Sequence, residues 1–260
     1  MPTTQRVRDP HVIIAGSGPP LVLAHGAGGS VAANFTGLID ALSTERTLIG
    51  ADYPGSGGTP SDASALDLDV LADTLVATAV DAGFDRFPVL GLSLGSAVAL
   101  TAALRHPDRV TGLILTVGFA TADPQIRLVV DTWSTLAAVD RRALAGYLVS
   151  LASPAVLGEL DDATGAIDAT LADYPDGGTD QARLAASVDI AASLAAVSAP
   201  TLVVVAGQDR IVLPDSTRGL ARQIPGATTV EYPDAGHIFT PAESVTWIAD
   251  VAAHLRTHRL

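Results

Sequence analysis

Ser93 sits in Gly91-Leu92-Ser93-Leu94-Gly95, between an apolar run at residues 88–90 and a small-residue segment with helical character at 96–105. A serine hydroxyl ionises far above neutrality, so it attacks a carbonyl only when it is held exposed and a base removes its proton. In the nucleophile-elbow pattern a sharp strand-to-helix turn does the holding, and Gly91 and Gly95 leave room for such a turn. A base candidate stands near the C-terminus, where Tyr232-Pro233-Asp234-Ala235-Gly236-His237 follows a β-like run at 228–232. An acid candidate lies between the two: Asp209 closes Thr201-Leu202-Val203-Val204-Val205-Ala206-Gly207-Gln208-Asp209, an apolar strand ending in glycine and aspartate. Together Ser93, His237 and Asp209 predict attack on an acyl carbonyl, with the imidazole moving the proton and the carboxylate holding the imidazole's tautomer.

These three residues need a scaffold that delivers them to one place. Strand signals fall at 12–15, 21–24, 47–51, 89–92, 110–117, 202–206 and 229–232, several of them uniformly apolar as buried parallel strands are. Helical patterns alternate with them at 32–42, 66–82, 94–105, 216–223 and 242–255, which predicts a mostly parallel α/β sheet flanked by helices. In such sheets reactive groups gather beyond the carboxyl ends of strands, where Ser93, Asp209 and the loop His25-Gly26-Ala27-Gly28-Gly29 all fall. The alternation stops between about 120 and 199, where helix-like stretches run through 125–139, 141–151, 154–160 and 180–196. This divides the chain into a core of 1–119 and 199–260 and an inserted helical cap of 120–198. Trp133, Tyr147 and Tyr174, the cap's aromatics, are expected to pack rather than to touch substrate.

The order Ser93, Asp209, His237, with His25-Gly26-Ala27-Gly28-Gly29 after the apolar run 21–24, resembles the α/β-hydrolase superfamily, in its serine-nucleophile esterase, lactonase and haloperoxidase-like branch. Asp52-Tyr53-Pro54-Gly55-Ser56-Gly57-Gly58-Thr59 is similar to that family's aspartate-x-proline-glycine loop, which implies a structural Asp52 tied to backbone N–H groups. The resemblance also implies an oxyanion hole from the backbone N–H groups of Ala27 and Leu94, with Gly28 as the substitute for Ala27, and a His25 ring that braces its loop. The implied activity is hydrolysis of a carboxylic ester or lactone of a small to medium molecule through an acyl-enzyme. Alternatives on the same scaffold are a thioesterase, an acyl-transfer or cyclising enzyme, a carbon–carbon bond hydrolase, and a ligand-binding, receptor-like protein. A serine nucleophile argues against the dehalogenase and epoxide hydrolase branches, where an aspartate takes its place.

Composition narrows the field further. The 260 residues, 48% hydrophobic and 17% charged, suffice for a large single core. All 15 Lys-plus-Arg positions are arginine and there is no cysteine, which removes Schiff-base and phosphate-loop lysines, thiol nucleophiles, thiolate metal sites and disulfides. No cofactor and no metal site are expected. A formal charge of −13 disfavours nucleic acid and anionic membrane surfaces as partners, leaving a small-molecule substrate. The first ten residues lack the apolar core of a secretory leader and no run spans a bilayer, so cytoplasmic residence is expected. The expected state is a monomer or homodimer. His106 reads as a helix C-cap, and His11, His254 and His258 as solvated surface residues. Arg127, Arg141 or Arg142 on the pocket wall would instead favour a carboxylate-bearing substrate.

Overall fold

A computed structural model describes residues 6–62 and 66–260; residues 1–5, on which the expectation of no secretory leader partly rests, lie outside the described residues. Two strands, β1 (Val12–Gly16) and β2 (Pro20–Ala24), precede α1 (Val31–Leu42), β3 (Thr47–Ala51), α2 (Leu68–Asp81), β4 (Phe87–Leu92), α3 (Leu94–Arg105) and β5 (Val110–Thr116). Helices then follow one another without a strand: α4 (Pro124–Val139), α5 (Arg141–Ser150), α6 (Pro154–Gly158), α7 (Ala163–Asp173) and α8 (Gly178–Ser187). A 3-10 turn at Ala191–Ala196 leads into β6 (Thr201–Ala206), α9 (Pro214–Gln223), β7 (Thr228–Tyr232) and α10 (Pro241–His258).

The seven strands form one sheet in the order β1-β3-β2-β4-β5-β6-β7, parallel except for the antiparallel pair β1 and β3. β3 and β6 are buried along their whole length, as strands covered on both faces must be, and their sequences are correspondingly apolar without alternation. On one face α1 and α10 bring Val31, Phe35, Trp247 and Val251 against Leu21, Leu90 and Ile114. On the other, α2 and α3 bring Leu71, Leu75 and Val98 against Val22, Val89 and Leu113. The chain leaves β2 toward β3 and β4 toward β5, on opposite sides, so a crevice opens beyond the carboxyl ends of β2 and β4, whose Ala24 and Gly91 are register partners.

The helices between β5 and β6 carry their own start signals. Asp123, Asp140, Ser153 and Asp162 each accept a first-turn N–H of α4, α5, α6 and α7, and Pro124 and Pro154 open α4 and α6. α7 was not expected: its sequence, with Gly165 and two threonines, has a weak helical pattern, and the Asp162 cap together with packing on α5 supports it. The single helix expected over 180–196 is broken after Ser187, because the Ala122 N–H donates to the Val188 carbonyl and Thr121 bridges Asp189.

One histidine departs from the surface reading: His254 is buried, with burial depressing its pKa. His11 is exposed as expected, and its Nδ1 lies 2.8 Å from the buried Asp52 carboxylate. His106 caps α3 as expected, its backbone N–H bonded to the Ala102 carbonyl and its Nε2 2.7 Å from Asp73. Among the described residues no helix is long and apolar enough to cross a membrane.

Candidate active site

Ser93 follows β4 directly and has φ 55° and ψ −120°, a backbone conformation that costs a non-glycine residue on the order of 1–3 kcal/mol. The elbow is fastened on both sides: the Ser93 N–H donates to the Thr116 carbonyl at 2.9 Å, and the Ser96 hydroxyl donates to the Gly91 carbonyl at 2.9 Å. Close approach makes its two glycines obligatory, since a Cβ on Gly91 would lie 2.2 Å from the Gly95 carbonyl oxygen and one on Gly95 1.9 Å from that of Ala24. The elbow therefore presses α3 against the end of β2, which brings the following loop, 25–29, beside Ser93.

Asp209 lies just beyond β6 and is 4% exposed. Its Oδ1 accepts the Ile211 and Val212 N–H groups at 2.8 and 3.0 Å, which leaves Oδ2 to accept from His237 Nδ1 at 2.7 Å. That bond gives Nδ1 the proton and leaves Nε2 with its lone pair. His237 stands in the loop between β7 and α10, and the Gln208 N–H, donating to the Ala235 carbonyl at 2.8 Å, ties this loop to the Asp209 loop. Ser93 and His237 line one cavity.

In the loop after β2, the His25 ring is fully buried and stacks on Tyr53 with centroids 3.8 Å apart. Its Nε2 accepts the Tyr53 N–H at 2.9 Å and its Nδ1 donates to the Gly26 carbonyl at 2.8 Å, so the ring is neutral, and burial pushes its pKa down to about 4. Asn34 Oδ1 accepts the Gly26 N–H at 2.8 Å. Among the described residues, the Ala27 and Leu94 N–H groups have no acceptor within the protein. The Gly28 N–H does: it donates to Gln181 Oε1 at 2.9 Å, so unlike that of Ala27 it is already paired. Asp52 binds backbone as expected, its Oδ1 accepting the Val31 N–H at 2.8 Å. Gln181 and Asn34 carry no local sequence signal; only the fold reveals what they touch.

The cavity has a volume of about 550 Å³. Leu148, Val149, Ala152, Val156 and Leu160 form much of the wall contributed between β5 and β6, while Asn34, Thr116 and Ser244 supply polar groups from the sheet side. Trp133 packs in the core as expected and also lines the cavity, where Gly28 has no side chain to keep the indole away; its Nε1 donates to the Tyr174 hydroxyl at 2.6 Å. No arginine is among the described lining residues. Arg127 bonds the Ala122 carbonyl, Arg141 the Tyr174 carbonyl, and Arg142 pairs with Asp168.

Known proteins share both sequence and shape with this chain. The pyrrolizixenacetamide deacetylase of Xenorhabdus hominickii is 30% identical over 239 residues, covering 89% of this chain and 90% of the relative. A pimeloyl-[acyl-carrier protein] methyl ester esterase of Neisseria meningitidis is 32% identical over 212 residues, covering 78% of this chain and 80% of the relative. Among solved structures, MGS-M2, an alpha/beta hydrolase enzyme from a Medee basin deep-sea metagenome library, superposes with a TM-score of 0.88 at 18% identity, over 97% of this chain and 96% of its own. The alpha/beta hydrolase fold family matches residues 19–240, and the chain belongs to that family.

Proposed function

We propose that the protein is a serine hydrolase that cleaves a carboxylic ester, lactones included, of an uncharged small to medium molecule. The observation that carries this reading is the 2.7 Å bond between Asp209 and His237 on a cavity shared with the strained Ser93 elbow. Ser93 Oγ attacks the acyl carbonyl while His237 Nε2 takes its proton, and Asp209 holds the Nδ1 proton and stabilises the imidazolium. The negative charge that develops on the carbonyl oxygen is met by the Ala27 and Leu94 N–H groups, a contact whose loss typically costs on the order of 100- to 1,000-fold in rate. His237 then protonates the leaving alcohol; water, deprotonated by His237, attacks the acyl-enzyme, and His237 returns that proton to Ser93 Oγ as the acid leaves. The helices between β5 and β6 act as a cap that roofs this cavity.

The relatives support acyl chemistry, one being named a methyl ester esterase and another a deacetylase. The second name favours a further reading, hydrolysis of an acylated amine, in which His237 protonates a leaving nitrogen instead of an oxygen. Intact-mass spectrometry after fluorophosphonate treatment tests the shared part of both: one adduct is expected on wild-type protein and none on Ser93→Ala. An unlabelled, folded wild type would overturn the assignment and favour a ligand-binding protein on the same scaffold. Parallel panels of acetyl esters, lactones and acetanilides, read by product formation, then separate the two readings.

A further inference from the structure

Gln181, on α8, is fully buried, and its amide reaches two separate loops of the core. Oε1 accepts the Gly28 N–H at 2.9 Å, while Nε2 donates to Ser56 Oγ at 2.7 Å and to the Pro54 carbonyl at 3.2 Å. A buried amide with this many partners is expensive to disturb, because each lost bond leaves a polar group without water or protein to pair with. Gly28 is held a second time by α4: it has φ +73°, and a Cβ there would lie 2.9 Å from Trp133 Cζ2. On the other side of Ala27, the Gly26 N–H is fixed by Asn34 Oδ1 at 2.8 Å. The N–H groups before and after that of Ala27 are thus both bonded to side chains, while Ala27 itself lines the cavity and its N–H has no acceptor among the described residues.

We propose that Gln181 is a positioning residue for catalysis: by gripping the Gly28 N–H from α8, it aims the Ala27 N–H at the oxyanion that forms above Ser93. This rests on the oxyanion assignment made under Proposed function. It also gives the helices between β5 and β6 a second task. Besides roofing the cavity they set the geometry of the hole, so α8 cannot swing away during turnover without disabling it.

The test compares wild type with Gln181→Met, which fills similar space without an amide, and Ser56→Ala, which removes one acceptor and leaves the bond to Gly28. Rates of fluorophosphonate inactivation and kcat on p-nitrophenyl butyrate are normalised to the number of serines finally labelled, so that partial unfolding alone does not move them. Mis-aiming one donor is expected to lower both rates about 10- to 100-fold in Gln181→Met, with KM within about threefold, and to lower them less in Ser56→Ala. Per-site rates in folded Gln181→Met within about threefold of wild type would overturn the proposal, as would a loss confined to KM. If Gln181→Met does not fold, Gln181→Asn, one methylene shorter and so unable to keep all three bonds, takes its place, and per-site rates within about threefold of wild type overturn the proposal. A wild type inert to fluorophosphonate removes the oxyanion assignment itself, whereas a labelled wild type with an equally fast Gln181→Met removes only the role of Gln181.

Discussion

Burial of the His25 ring, with Nε2 accepting from the Tyr53 N–H and Nδ1 donating to the Gly26 carbonyl, admits one protonation state only. A second proton would occupy the nitrogen that Tyr53 needs. The folded pKa is about 4 against 6.5 for the free side chain, so the unfolded chain binds more protons in that window. The associated stability is complete above pH 6.5 and is lost as pH falls toward 4, a total on the order of 3 kcal/mol. His254, also depressed by burial, adds a slope of its own, so the comparison is with a variant: urea unfolding of His25→Gln between pH 7 and 4.5 should show a shallower loss of stability than wild type. Parallel curves would show that His25 is not the group being titrated. In the proposed triad, Asp209→Asn retains an oxygen for the Ile211 and Val212 N–H groups but presents an amide that cannot hold the productive tautomer. Loss of kcat on the order of 1,000- to 10,000-fold, with KM little changed, is the expected result on p-nitrophenyl butyrate.

At the scale of elements, the elbow and the first helix respond in opposite directions to the same substitution. Gly95→Ala drives a methyl to within 1.9 Å of the Ala24 carbonyl oxygen, and only movement of β2 or α3 relieves it. Destabilisation of about 1–3 kcal/mol is expected, together with loss of fluorophosphonate labelling as the elbow shifts. Gly37, on the exposed side of α1 with nothing within 4 Å of an added Cβ, should instead gain about 0.5–1 kcal/mol as alanine. Thermal melts of both variants check the pair. The sequence makes the elbow legible because Gly91, Ser93 and Gly95 are forced by local geometry, and the strands are legible because burial on both faces leaves continuous apolar runs such as Thr201–Ala206. α7 was not legible, because its helix depends on the Asp162 cap and on α5 rather than on its own periodicity. Neither were Gln181 and Trp133: Gln181 bonds Gly28, Pro54 and Ser56, and Trp133 packs on Gly28, across separations of 105 to 153 positions that no local pattern encodes.

Over the whole molecule, two features act on a charged substrate and they can be separated. The formal charge of −13 repels anions at long range, and among the described residues the cavity wall offers no arginine to receive one. Mono-p-nitrophenyl glutarate matched against p-nitrophenyl butyrate isolates a single carboxylate. An unpaired carboxylate in an apolar cavity costs several kcal/mol, so kcat/KM for the anionic ester should be lower by about 100-fold or more. The long-range part is screened by salt, whose Debye length shrinks from about 30 Å at 0.01 M to about 8 Å at 0.15 M, while a desolvated wall is screened far less. Raising ionic strength over that range should therefore recover only a few-fold of the deficit for the anionic ester and leave the neutral one unchanged. Near-complete recovery would place the discrimination in the net charge of the surface, and near-equal rates at both salts would mean that a cation reaches the bound carboxylate. A deficit that survives salt assigns the selectivity to the uncharged wall that the helices between β5 and β6 build over Ser93.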